Sequence, residues 1–288
     1  MKPLKVLICT LSQSGSTDKI ANKIGEGLTS SGMEVRYHPV LSGPVPEILS
    51  YDAIGIGCPA YVFRPPFPIT DFIQSLPDLK KKYFFTFVQY GTNPGATGNR
   101  IRRQFRKKHA IDAGYLTTRG ADYFIGYLRK GYFFSAGFPG DFELQTAVEF
   151  GVKVAHRMQH GYPETEPYDP STPLLYAIER FSVNRFNAKL YLARSYKATK
   201  ECDGCGICIK KCPVQNIKEG KNKRPVWGNN CMLCNTCELK CPKDAIKSPY
   251  DWAMNQPFFT MNIKRALKHQ LPYSKIKFQK SRIEYNPN

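Results

Sequence analysis

The chain has 288 residues, enough for two ordinary domains, with 42% hydrophobic, 13% aromatic and only 23% charged residues. That composition excludes a disordered chain and supplies material for packed interiors. No run approaches the roughly 20 uncharged apolar residues of a membrane helix, and Met1 and Lys2 lead into a short strand-like segment rather than a leader, so a cytoplasmic protein is expected. The formal charge of +19 is spread over the chain, +8 in residues 1–196, +6 in 197–247 and +5 beyond. It favours anionic partners without choosing among acidic proteins, nucleic acid and lipid surfaces.

Residues 4–10 form an apolar run ending in a polar loop, 11–17, after which Ile20, Ile24 and Leu28 recur at helical spacing: strand, loop, helix. Further strands are expected over 33–38, 52–57, 83–88 and 113–118, the aromatic and branched run at 83–88 being typical of a buried strand. A helix is expected over 67–76, with Pro66 and Pro68 near its start. Another carries Ile101 and Phe105 inward, with Arg100, Arg102, Arg103, Arg106, Lys107 and Lys108 mostly toward solvent. A third, over 141–160, has Phe142, Val148, Val152 and Ala155 available for packing. Strands alternating with helices predict an α/β fold with a doubly wound, five-stranded parallel sheet.

An aromatic insertion at 120–140 interrupts that alternation before the closing helix. Pro163, Pro167, Pro170 and Pro173 then mark a stiff connection. Beyond it, Leu174, Ile178, Phe181, Phe186, Leu190 and Ala193 recur at spacings expected of one or two helices that seat the next domain. The expected division is an α/β domain over 1–162, a connection and linker helix over 163–196, a cysteine module over 197–250 and a basic extension over 251–288.

Eight of the ten cysteines lie in that module. Cys202, Cys205, Cys208 and Cys212 precede Pro213, and Cys231, Cys234, Cys237 and Cys241 precede Pro242, so the spacing Cys-x2-Cys-x2-Cys-x3-Cys-Pro occurs twice. Three thiolates of one tight loop can hold three corners of an iron-sulfur cube, and the fourth must come from elsewhere. Paired tetrahedral zinc sites are the competing reading. The repeat resembles bacterial-type two-cluster ferredoxins, small α+β domains. That resemblance implies crossed ligation, with Cys202, Cys205, Cys208 and Cys241 on one [4Fe-4S] cluster and Cys231, Cys234, Cys237 and Cys212 on the other. Every iron then has a thiolate, which leaves electron storage and relay as the chemistry available. Ile207, Val214, Ile217, Trp227 and Ile246 are expected to shield the clusters. Lys210, Lys211, Lys218, Lys221, Lys223, Arg224, Lys240, Lys243 and Lys247 either orient an acidic redox partner or form a solvated basic surface.

Ser12, Gln13, Ser14, Gly15, Ser16 and Thr17 sit where the first strand meets the first helix, hydroxyls around one glycine, with no basic residue. Backbone N–H groups, hydroxyls and the helix N-terminus there form an anion cradle, in neither the Walker nor the dinucleotide spacing. The loop resembles that of flavodoxin, Ser/Thr-x-Thr-Gly-x-Thr, with serine at Ser14, and so implies FMN. The resemblance also brings the loops after strands three and four to the flavin ring: Pro59, Ala60, Tyr61, Val62 and Phe63, then Tyr90, Gly91, Thr92, Asn93, Pro94 and Gly95. Tyr61 is the expected ring neighbour.

Over about residues 4–247 the chain resembles flavodoxin–ferredoxin fusion proteins, which implies an electron-transfer flavoprotein relaying electrons between two clusters and FMN. The rival is a ferredoxin-fed, FMN-dependent reductase of a small organic substrate, motivated by the aromatic insertion as a lid. Cys9 reads as a buried apolar residue, and Cys58 as a thiol that could approach the flavin edge. His156 and His160 read as surface residues. Nucleic-acid binding ranks last for want of a reader motif.

Overall fold

The computed structural model describes residues 2–45, 47–161, 169 and 174–278, and the four prolines of the connection lie outside them. The chain divides into two units, Met1–Gly120 with Phe138–Arg180, and Ala121–Gly137 with Phe181–Asn288. The first unit is built on strands β1 (Lys5–Thr10), β2 (Glu34–Pro39), β3 (Ala53–Pro59), β4 (Tyr83–Tyr90) and β5 (Ile111–Arg119), all parallel in the order β2-β1-β3-β4-β5. Helices α1 (Ser16–Ser30), α2 (Phe67–Ser75) and α3 (Thr97–Arg106) connect them in turn. This is the expected doubly wound sheet. Its order reverses at β1 and β3, and in such sheets a crevice opens at that switch, beyond the carboxyl ends of the strands.

On one face, Val6, Ile8, Phe85 and Phe87 meet Ile20, Ile24 and Leu28 of α1, together with Ala147, Phe150 and Val154 of the closing helix. On α3, Phe105 stacks on Phe84 with ring centroids 4.7 Å apart. Each of the larger side chains contributes about 1.5–3 kcal/mol by leaving water.

One expectation about a helix face needs correction, and one residue departs from another. On the closing helix, which spans Asp141–His160, Phe142 is 80% exposed and Val152 is also exposed; the buried stripe is Ala147, Phe150, Gly151, Val154, Ala155 and Met158. The reason is close backbone contact with α1: a Cβ on Gly27 would lie 2.1 Å from the Val148 carbonyl oxygen, and one on Gly151 would lie 2.2 Å from that of Ile24. The two glycines set which side faces inward, overriding a bulkier choice. On α3 most of the basic run is exposed, but Arg102 is fully buried. Its Nε donates to Asp112 Oδ2 at 2.7 Å, and its guanidinium lies 5.4 Å over the Tyr115 ring.

The second unit takes residues 121–137 out of the expected first domain. Helix α4 (Ile125–Leu128) and strand β6 (Tyr132–Phe134) lie in that insertion, and β6 pairs antiparallel with a strand at Tyr273–Lys275. Phe124 packs edge-on against Tyr127, Tyr250 and Phe259 at 4.9–5.1 Å. With the closing helix as α5, the following helices are α6 (Leu174–Ser182), at the boundary between the units, and α7 (Arg185–Asn187). Leu174, Ile178, Phe181, Phe186 and Leu190 are exposed there and only Ala193 of the expected apolar series is buried, because Tyr176 and Ala188 take the inward positions instead.

The cysteine module holds β7 (Lys197–Ala198), α8 (Ile207–Lys210), β8 (Ile217–Glu219), β9 (Pro225–Trp227), α9 (Thr236–Leu239) and β10 (Ile246–Lys247), with β7 paired to β10 and β8 to β9. The expected basic extension is folded as far as it is described: α10 (Gln256–Lys268) buries Phe259, Ile263 and Ala266, and Tyr273–Lys275 is strand β11.

Candidate functional site

The anion cradle lies at the N-terminus of the fifteen-residue helix α1, where Gly15 adopts φ 83°, and space is open in front of it. Thr10 Oγ1 donates to Asp18 Oδ1 at 2.7 Å, tying strand end to first helical turn. Thr17 is buried, Ser14 is exposed, and Ser12, Gln13, Gly15 and Ser16 lie half-buried between them. Ser12 Oγ and Ser16 Oγ are both buried with no hydrogen-bond partner. Buried hydroxyls are rarely left so, and two of them beside free helix N–H groups are what a bound phosphate would satisfy. The residues therefore fit the phosphate of FMN.

The next loop is drawn toward the first: the Tyr61 hydroxyl donates to Gln13 Oε1. Tyr61 and Arg64 exchange backbone hydrogen bonds at 2.9 and 3.2 Å around Val62 and Phe63, both left-handed at φ 48° and 59°. Two non-glycine residues in that conformation store strain, a common mark of a ligand loop. Phe63 is buried in a stack with Tyr176, centroids 4.0 Å apart. Its carbonyl accepts from the Ala96 N–H at 3.1 Å, and a Cβ on Gly95 would lie 2.4 Å from the Phe63 Cβ. Gly95 thus locks the two ring loops together. Ala60 N donates to the Gln89 carbonyl at 2.8 Å, and Gly95 N to Asn93 Oδ1 at 2.8 Å. Tyr61, Val62, Tyr90, Gly91, Thr92 and Asn93 remain partly accessible, with Pro59 and Ala60 at the strand end.

Arg119 is a further residue here that no motif announces. It ends β5 with its guanidinium 5.7 Å over the Tyr90 ring and with Nη1 buried and unpartnered; the only signal for it is its place at a carboxyl strand end. Cys58, by contrast, is no reactive thiol. Strand β3 runs through it to Pro59, and burial, aided by the Asp169 carboxylate, pushes its pKa far up. Burial likewise pushes Cys9 up to about 12. His156 and His160 stack with each other on the exposed side of α5.

In the cysteine module, Cys202, Cys205, Cys208 and Cys241 line one concavity together with Pro225, Pro242 and Ile246. Three thiols of the first run and the last of the second thus surround a single space. A thiolate at Cys212 would be close enough to Cys231 and Cys234 to raise the pKa of both, behind the larger effect of their burial. Backbone N–H groups point at sulfur in matching positions: Asn216 N to Cys212 Sγ at 3.2 Å and Ala245 N to Cys241 Sγ at 3.3 Å. Leu233 N donates to Cys231 Sγ at 3.3 Å.

The repeat extends to the backbone. Left-handed residues recur at equivalent places, Gly204 with Leu233, Gly206 with Asn235, and Gln215 with Asp244. Four thiols around an open space, with amides aimed at sulfur, fit an iron-sulfur cube. Of the expected shield, Ile217, Trp227 and Ile246 are buried, while Ile207 and Val214 are half-buried. The nine basic residues are exposed except Arg224, which donates through Nη2 to the carbonyls of Ala198, at 2.9 Å, and Thr199. Arg224 is a structural clip rather than part of the basic surface.

Among known proteins, the family description "Flavodoxin domain" matches residues 7–129 and "4Fe-4S dicluster domain" matches 201–246. A 7Fe ferredoxin from Hydrogenibacillus schlegelii is 32% identical over 75 residues, 23% of this chain and 96% of its own length. Ferredoxin-1 of Caulobacter vibrioides is 38% identical over 55 residues, 18% of this chain and 49% of the relative. With a Streptomyces griseus ferredoxin covered to 47%, the chain spans about half the length of these latter two relatives. A flavodoxin from the domain Archaea is similar to 55% of this chain over its whole length, with 21% identity and a TM-score of 0.42. Among the described residues no helix is long and apolar enough to cross a membrane.

Proposed function

Because this chain belongs to the ferredoxin family through its cysteine module and carries a flavodoxin domain before it, an iron-sulfur flavoprotein of electron transfer, we propose that it relays electrons between two [4Fe-4S] clusters and one FMN. The observation that carries this reading is the concavity that joins Cys202, Cys205 and Cys208 to Cys241: crossed ligation binds the two repeats into one electron path. The clusters take up single electrons and the flavin takes up two, which couples donors and acceptors of different electron number.

The chain's own residues do the holding. Ser12 and Ser16 donate hydroxyls to the phosphate, and the N-terminus of α1 faces its charge. Tyr61 and the accessible residues 90–93 border the ring. Cys231, Cys234, Cys237 and Cys212 hold the second cluster. The exposed lysines of the module, from Lys210 to Lys247, favour a redox partner with an acidic docking surface. The packing of Phe124, Tyr127, Phe133 and Phe134 of the insertion inside the second unit supports relay over the alternative, a ferredoxin-fed reductase with the insertion as a lid.

Anaerobic reconstitution tests the reading: about eight irons, eight sulfides and one FMN per chain are expected. In rapid mixing, electrons delivered to the clusters should reappear on the flavin. Ser12→Ala and Ser16→Ala should each weaken FMN binding about tenfold or more, the loss of a hydrogen bond to a charged group, as read by fluorescence titration. Zinc in the module, or flavin affinity indifferent to both serines, would reject the corresponding half.

A further inference from the structure

Within the second unit, the insertion meets the cysteine module through the ring of Phe124, packed on Tyr250, and through the charge of Arg129. Arg129 follows α4, its N–H bonded to the Ile125 carbonyl at 3.0 Å. Arg129 Nη2 donates to Glu238 Oε2 at 2.5 Å and Nη1 donates to Asp251 Oδ1. Asp251 is itself held, its Oδ2 accepting from Ser248 N at 2.8 Å. Glu238 is fully buried on α9, next to Cys237 and three residues before Cys241. Beyond burial and the neighbouring thiols, its carboxylate adds to the field at Cys231 and Cys237.

A buried carboxylate beside a thiolate-ligated cluster is an expensive arrangement unless it serves or is compensated. Reduction adds one electron and no proton to the cluster, so a fixed anion opposes it and a fixed cation favours it. A guanidinium keeps its charge under all ordinary conditions and grips two carboxylates at once.

We propose that Arg129 is a positioning residue that sets the reduction potential of the cluster held by Cys212, Cys231, Cys234 and Cys237, by pairing with the buried Glu238. The proposal rests on the two-cluster reading above. It gives the insertion between the sheet's last strand and its closing helix a role in tuning a site through Glu238, 109 residues later in the chain.

The test is a mediated dithionite titration of the full chain, followed by paramagnetic resonance, with iron, sulfide and flavin counted in each variant. Arg129→Gln should make one cluster at least tenfold harder to reduce, 59 mV for one electron, leaving the other cluster and the flavin unchanged. Glu238→Gln should shift the same cluster the opposite way, and Arg129→Lys should retain most of the native potential. If Arg129→Gln sheds iron, the Glu238→Gln and Arg129→Lys results decide by the same criteria. No shift, equal shifts of both clusters, or shifts of one sign in Arg129→Gln and Glu238→Gln would overturn the proposal. Fewer than two reducible clusters in the native chain would overturn the two-cluster reading and the proposal with it, whereas two clusters with an unmoved potential would overturn the proposal alone.

Discussion

The two cysteine runs share spacing, backbone conformation and amide-to-sulfur bonds, yet their surroundings differ. In the first run Cys205 is exposed, Gly204 and Gly206 supply the left-handed turns, and the concavity opens beside it. In the second run the same two turns are made by Leu233 and Asn235, at 5% and 7% exposure, and Met232, Thr236 and Glu238 are buried with them. The repeat dictates where the thiols stand, while the non-repeated residues decide how far each run lies from water. On the two-cluster reading, the cluster beside the exposed Cys205 is the outer one and the cluster beside Leu233, Asn235 and Glu238 the inner one.

Iron removal should have the largest effect, because cluster binding is folding free energy for such a module. A chelator with oxidant should strip amide-exchange protection from residues 197–250 while the parallel sheet of the first unit keeps its own; joint loss would show that the units do not unfold separately. Next in size, iron release should be biphasic, with half leaving at least about tenfold faster from the outer cluster, since attack on a cluster follows its exposure. A single phase would erase the contrast between the runs. The smallest effects concern the turns. Gly206→Ala should cost about 1 kcal/mol in thermal stability of the holoprotein, the left-handed penalty for a side chain. Asn235→Gly should gain about 0.5 kcal/mol by relieving that penalty and removing a buried, unpartnered Oδ1.

Legibility in the sequence followed the range of the interactions. Strand and helix alternation, the serine-rich loop and the cysteine spacing are local patterns, and each could be read. The inward face of α5 could not, because it depends on Gly27 meeting Gly151 across two helices. Arg102 belongs to a charged run by its neighbours and to the core by Asp112 and Tyr115. The insertion was legible as aromatic but not as part of the cysteine-bearing unit, since the three-residue pairing of β6 with β11 joins segments with no shared local signature. At the flavin site, the loops could be chosen from topology. The stacking of Phe63 on Tyr176 and the approach of Arg119 to Tyr90 required the folded chain.

The path of the polypeptide leaves one unit for the other three times, after Gly120, after Gly137 and after Arg180. A protease that nicked the proline-rich connection would therefore leave residues 121–137 on the N-terminal fragment while their packing partners stayed on the C-terminal one. The two pieces should travel together on a sizing column in native buffer and separate only in denaturant. Neither unit can therefore be expressed whole from one contiguous stretch of coding sequence.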